Sequence, residues 1–304
     1  MTDVDQTSVA IGRSNPVSGL VRAMRPKQWV KNVLVLAAPL AALGSKGKVD
    51  FVQTLPLILI AFAVFCAAAS GVYLVNDIRD VEADRAHPTK RNRPIAAGVV
   101  PVPLAASAAV VLMLAALGCS FLANWRLAVV VAVYLGLQLA YCFGLKHQPV
   151  LDICVVSSGF LLRAIGGGSA ASIELSQWFL LVMAFGSLFM AAGKRYAELS
   201  LAERTGAKIR KSLEGYTSTY LRFVWTLAAT SVLLCYGLWA FDHPKGTVWY
   251  EISMVPFALA ILRYARHVDG ADAGEPEEIA FSDRTLQLMA LAWILVMAVA
   301  VVVS

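Results

Sequence analysis

The chain has 304 residues, 59% of them hydrophobic and 15% charged, with a formal net charge of +6 and a mean hydropathy of +0.68. Soluble domains carry about a quarter charged residues, so a water-soluble globular enzyme and a disordered chain are both excluded. Lys and Arg fall between apolar blocks, which assigns the positive charge to membrane topology and lipid headgroups; no nucleic-acid partner is expected.

In chain order, residues 1–28 form a tail. Its 16–28 stretch sets Val17, Leu20, Val21 and Met24 beside Arg22 and Arg25, which predicts an interfacial helix ending near Pro26. Nine apolar segments follow, at 29–45, 52–76, 101–123, 125–144, 149–169, 176–193, 219–241, 247–266 and 285–303. A crossing needs about 20 apolar residues, so the expectation is an all-α, polytopic bundle forming one membrane-embedded domain over 1–304. Nine spans put the termini on opposite sides. With the N-terminus cytoplasmic, the outer connections hold only Lys46, Lys48, Arg126 and Lys245. The positive-inside rule therefore orients the chain with its N-terminus inside and its C-terminus outside. The five cysteines all lie in apolar stretches and read as small buried hydrophobes. The polar connections 194–218 and 267–284 fall on the cytoplasmic side, where either can cover a site; a helix broken at Gly206 is expected in 196–218. Small residues on several spans suit a homo-oligomer.

The chemistry gathers after the second span. Asn76, Asp77, Asp80 and Asp84 lie within nine positions. On a continuing helix Asp77, Asp80 and Asp84 share one stripe, with Asn76 beside it. Clustered hard oxygen donors suit Mg²⁺ bridging to phosphates. The competing reading is a solvated helix end paired to Arg79 and Arg85. Lys90, Arg91 and Arg93 come next, and such cations bind phosphate oxygens. Positive-inside topology alone also accounts for them. Arg163 stands in an otherwise apolar span before Gly166-Gly167-Gly168; an intramembrane cation faces a partner or a cavity, and a structural role is favoured, with phosphate binding as the alternative.

The pattern Asn-Asp-x-x-Asp-x-x-x-Asp followed by Lys90-Arg91-Asn92-Arg93-Pro94-Ile95 resembles the UbiA-type intramembrane prenyltransferase superfamily. So do the stretch Arg25 to Asn32 and the end of the fourth span at Tyr141 to Lys146. The resemblance implies nine transmembrane helices around a cytoplasm-facing cavity, with Asn76, Asp77, Asp80 and Asp84 binding Mg²⁺ and a diphosphate. It also implies a second aspartate motif ending the sixth span, where this chain instead reads Gly193-Lys194-Arg195-Tyr196-Ala197-Glu198. That departure, with 274–278 and Asp283-Arg284, is similar to a branch that moves a phosphoribosyl group onto decaprenyl phosphate. The branch implies 5-phosphoribosyl 1-diphosphate as donor, a polyprenyl (decaprenyl) phosphate as nucleophile, and a product that feeds cell-wall arabinan synthesis. Asp77, Asp80 and Asp84 are then the catalytic acids. Lys27, Lys31, Asn32, Lys146, Lys194 and Arg195 are candidates for a basic cradle, Lys27 and Lys31 sharing a helical face. Glu198 accompanies them, and the competing reading there is a Lys194–Glu198 surface pair. Tyr73 and Tyr141 put hydroxyls near a sugar or phosphate, or belong to the interfacial belt. The rival functions are ordinary prenyl transfer to an aromatic acceptor, and lipid-phosphate transport.

Overall fold

The computed structural model describes residues 15–42, 51–206, 213–242, 248–270 and 276–303. Lys46, Lys48 and Lys245, and residues 207–212 and 271–275 of the two polar connections, lie outside them. Every regular element among the described residues is helical. The chain runs through α1 (Pro16–Ala23), a 3₁₀ segment (Pro26–Leu36), α2 (Ala37–Ala42), α3 (Phe51–Arg79), α4 (Val81–Arg85), α5 (Val102–Ser120) and α6 (Trp125–Phe143). It continues through α7 (Leu151–Ala170), α8 (Gln177–Thr205), α9 (Ser218–Phe241), α10 (Val248–Asp269), α11 (Pro276–Ser282) and α12 (Arg284–Val303).

Among the described residues seven helices are long and apolar enough to cross a bilayer: α3, α5 to α9, and α12. The other two expected spans differ from an apolar α-helix, each for a physical reason. Helix α10 has 22 residues but carries Glu251, Arg263, Arg266 and His267, and Pro256 inside it. The 29–45 span begins as 3₁₀ structure, whose long runs are uncommon on their own. Here side chains hold it: Trp29 Nε1 donates to Ser70 Oγ at 3.1 Å and Asn32 Nδ2 to Cys66 Sγ at 3.1 Å. Its backbone lies directly on α7, where a Cβ on Gly167 would stand 1.8 Å from the Val35 carbonyl oxygen. At three residues per turn, Lys27 and Lys31 sit about 120° apart. The α-helical face expected for that pair is therefore not formed.

Helix α8 also corrects an expectation. The span and the polar stretch after it are one helix of 29 residues, closed by Gly206 at φ +66°. At 1.5 Å per residue it is about 43 Å long, beyond the roughly 30 Å of hydrocarbon. Arg195 and Glu198 thus ride on the extension of a spanning helix.

Helix α3 packs on α5, α6 and α7, while α8 packs on α7, α9 and α10. One core cluster joins Phe65, Val131, Leu135 and Tyr134, and another joins Phe189, Tyr196, Leu221 and Tyr264. Antiparallel succession brings the C-terminal ends of α3, α6, α8 and α10 to one end of the bundle, with the N-terminal ends of α7 and α9.

Arg163 knits α7 to its neighbours. It donates from Nε to Asn32 Oδ1 at 2.6 Å, from Nη1 to Gly159 O at 2.5 Å, and from Nη2 to Tyr134 OH at 3.0 Å. The Tyr134 and Phe65 rings lie 5.0 and 5.9 Å from its guanidinium carbon. Neutral acceptors and ring faces stand where a carboxylate would otherwise balance this intramembrane cation. We predict that Gly167→Ala destabilises the detergent-solubilised protein by about 3 kcal/mol or more through overpacking. Gly136→Ala, where a Cβ meets nothing within 4 Å, leaves the melting temperature unchanged or slightly raised.

Candidate active site

Helix α3 ends at Arg79, and Asp80 turns the chain at φ −97°, ψ 7° before α4 resumes. The Asp80 N–H still donates to Asn76 O at 3.0 Å, and the Asp84 N–H to Asp80 O at 2.8 Å. This near-continuation places Asp77 and Asp84 together. Both are buried, at 2% and 3% exposure. Arg93 Nη1 donates to Asp84 Oδ2 at 2.6 Å and to Asp77 Oδ1 at 3.3 Å. Arg25 Nη2 donates to Asp77 Oδ1 at 2.5 Å, with its guanidinium 4.9 Å from the centre of the Tyr73 ring. Two buried anions are thus met by two cations, as burial of charge requires. Arg25 reaches this corner from a left-handed backbone, φ 54°.

Asp80 leaves the expected stripe and pairs with Lys146 beyond α6. A cavity of about 140 Å³ opens beside that pair, lined by Arg79, Cys142, Gly144 and His147 among others. Asn76 Oδ1 faces Cys142 Sγ at 3.9 Å. Lys90 and Arg91 sit on the short turn before Arg93, the first half-buried and the second exposed. Asn32 is buried and held by Arg163 and Cys66, away from the two acids' cations.

A second corner stands beside the first. Arg195 Nη2 donates to Tyr141 OH at 3.2 Å, and Nη1 to Glu198 Oε2 at 3.5 Å. Its Nε lies 3.3 Å from Asp152 Oδ2. Glu198 pairs with Arg195, one turn along α8. Tyr216 donates its hydroxyl to Asp152 Oδ1 and accepts from Val150 N at 2.5 Å. Burial first, then the hydrogen bond to Asp152, pushes the Tyr216 phenol well above its ordinary range, so it stays a donor. The end of α6 links the corners: Tyr141 serves Arg195, while Cys142 and Lys146 face Asn76 and Asp80.

Sequence reasoning did not count Arg25, Asp152 or Tyr216 among site residues. Asp152 carried the clearest signal, a lone acid at the start of an apolar span, which is costly without a partner. Arg25 stood in the resemblance motif but was read as interfacial.

Asp283, just before α12, serves the fold. Asp283 accepts from Arg263 Nε at 2.7 Å, sits 2.5 Å from His267 Nε2, and caps α12 through Thr285 N at 2.8 Å. Arg263 first, then His267, holds its carboxyl well below the usual carboxylate range. A lowered native pKa stabilises above the unfolded value and is lost as pH falls through the native one. We therefore expect Asp283→Asn to lower the melting temperature at neutral pH. The gap from wild type should shrink below about pH 4, where an unfolded aspartate takes up its proton. A pH series of thermal melts checks this.

The donor set fits a divalent ion in a limited form. Mg²⁺ is usually bound by one or two carboxylates while substrate phosphates and waters complete its shell. Asp77 and Asp84, converging on one guanidinium nitrogen, supply such a pair. Among the described residues no group of three His, Cys, Asp or Glu side chains could hold a metal ion.

A model of the UbiA prenyltransferase family matches residues 33–283. The chain belongs to the UbiA prenyltransferase family. It is 66% identical over 290 residues to a decaprenyl-phosphate phosphoribosyltransferase of Mycobacterium tuberculosis, covering 95% of this chain and 96% of the relative. It is 62% identical over 293 residues to the protein of that name from Corynebacterium glutamicum, covering 94% and 88%. Among solved structures, a UbiA homologue from Archaeoglobus fulgidus bound to DMAPP and Mg²⁺ matches with a TM-score of 0.69 at 14% identity, covering 94% of this chain and all of that one. At that identity the likeness shows the UbiA fold.

Proposed function

We propose that the protein transfers the 5-phosphoribosyl group of 5-phosphoribosyl 1-diphosphate to decaprenyl phosphate, releasing diphosphate. One observation carries the reading. A carboxylate pair, Asp77 and Asp84, stands beside the part of α8 that carries Arg195, in a chain about two-thirds identical to phosphoribosyltransferases over nearly its whole length. A second diphosphate clamp is not needed when the lipid brings a bare phosphate. Nine crossings, counting Pro26–Ala42 and α10, with a cytoplasmic N-terminus, put both corners at the cytoplasmic surface, where a soluble sugar diphosphate arrives.

In this reading Asp77 and Asp84 hold a Mg²⁺ ion. When bound it supplies positive charge to the departing diphosphate. Arg93 and Arg25 keep the two carboxylates fixed and add cationic charge at the same corner. Lys146, on Asp80, and Lys90 and Arg91, on the turn before Arg93, add further cations. The bond from C1 to the diphosphate oxygen breaks with its electron pair leaving on diphosphate. An oxygen of the lipid phosphate then forms the new bond to C1. A phosphate dianion is already nucleophilic at neutral pH, so no histidine base is required. Preorganised cations cost little reorganisation as charge develops. Tyr73 and Tyr141 edge the two corners with hydroxyls suited to sugar or phosphate oxygens.

The test is transfer of label from phosphoribosyl diphosphate into the lipid fraction by purified protein with polyprenyl phosphate. We expect label with Mg²⁺ and none with chelator. Asp77→Asn and Asp84→Asn each fall about a hundredfold or more, on the scale of losing one preorganised electrostatic group. Glu82→Gln, on the exposed side of α4, stays within about twofold, as surface changes usually do. An unlabelled lipid fraction, with turnover of a prenyl diphosphate onto an aromatic acceptor, contradicts the proposal.

A further inference from the structure

Asp152 is 1% exposed, yet it belongs to neither aspartates nor cations of the first corner. Its surroundings are unusually constrained. Val150, two residues earlier, is a β-branched residue at φ +71°, a conformation kept only where neighbours over-determine it. The stretch before α9 supplies that constraint. Gly215 lies so close to the turn that a Cβ there would stand 2.5 Å from Pro149 Cγ. Tyr216 takes the Val150 N–H and gives its own proton to Asp152 Oδ1. The remaining oxygen, Oδ2, has no hydrogen bond and faces Arg195 Nε at 3.3 Å.

A guanidinium is planar with five N–H donors in a fixed fork. Setting its Nε edge therefore sets the direction of both Nη groups. Asp152 faces that edge of Arg195 as its ion-pair partner, while Tyr141 and Glu198 each engage one Nη. Each Nη carries two N–H groups, which leaves one on each to meet a further acceptor. Arg195 also stands next to the acid corner, since Tyr141 precedes Cys142, which faces Asn76. Planar, paired donors of this kind suit a phosphate.

We infer that Asp152, tied down by Tyr216, is a positioning residue that aims Arg195 at a phosphate monoester. The inference rests on the proposed function, whose reactants carry two such groups: the lipid phosphate and the 5-phosphate of the sugar. Asp152→Asn keeps an oxygen for Tyr216 but removes the charge that faces Arg195. It is expected to raise the KM for one of the two substrates about tenfold, with kcat and the other KM within about twofold. The KM that moves names the phosphate. Tyr216→Phe raises the same KM about threefold, and covers the case in which Asp152→Asn does not fold. In an Arg195→Ala background Asp152→Asn adds less than about twofold, because a residue acting through another loses its effect when that partner is gone.

Unchanged KM values in both single variants overturn the inference, as does an Asp152→Asn loss that persists in full without Arg195. A wild type that transfers no phosphoribosyl group contradicts the proposed function instead. The positioning role is then read from the same cycle on the Kd values for polyprenyl phosphate and for ribose 5-phosphate. Coupling to Arg195 in either Kd supports it, and additivity in both overturns it.

Discussion

Two buried carboxylates that share one guanidinium set the terms for the rest of the molecule. Asp77 and Asp84 sit at the end of a long apolar helix, where a lone anion is expensive. Arg93 lies between them and Arg25 completes the neutralisation. Satisfying this corner requires chain from three places: the α3–α4 bend, the turn that carries Arg93, and the left-handed residue before the 3₁₀ segment. That requirement explains why the first segment stays pinned along α3 and α7. Trp29, Asn32 and the Gly167 contact hold in place the segment that delivers Arg25.

The second corner follows the same logic with different parts. Arg195 stands between Asp152 and Glu198 as Arg93 stands between Asp77 and Asp84. Each pair of acids is drawn from distant or bent backbone and made tolerable by a shared cation. The difference is in the acids: Glu198 keeps part of its surface open, whereas Asp77, Asp84 and Asp152 are enclosed. The end of α6 sets the spacing, since adjacent residues Tyr141 and Cys142 serve different corners. An enclosed acid pair suits a divalent ion that a diphosphate accompanies, and a guanidinium held on several sides suits a phosphate that arrives by itself.

Much of the fold was legible because hydrophobic blocks of bilayer length leave few alternatives. The helices from α3 to α9 begin and end within a few residues of the apolar segments, save where α8 runs on. That extension was hidden because a helix carries no mark at the membrane surface; residues of good helix propensity, mostly Ala, Leu and Glu from Ala197 to Glu203, simply continue it. The first span was misread in its geometry because its shape comes from Arg163, Ser70 and Gly167, all far away in sequence. At the site, Asp77, Asp84 and Arg93 announced themselves by local clustering. Asp152 and Tyr216 did not, since 64 residues separate them and only the folded chain brings them together. Asp80 shows the limit of spacing arguments: one turn residue at the α3–α4 bend sends its carboxylate to Lys146.

The central claim is that the enclosed acid pair is where the sugar diphosphate is held. The most direct measurement is calorimetric titration of 5-phosphoribosyl 1-diphosphate into the detergent-solubilised protein with no lipid acceptor present, with and without Mg²⁺, on wild type and Asp84→Asn. The account predicts binding to wild type only when Mg²⁺ is present, and its loss in the variant. Equal affinity without Mg²⁺, or a variant that binds as wild type does, would contradict it.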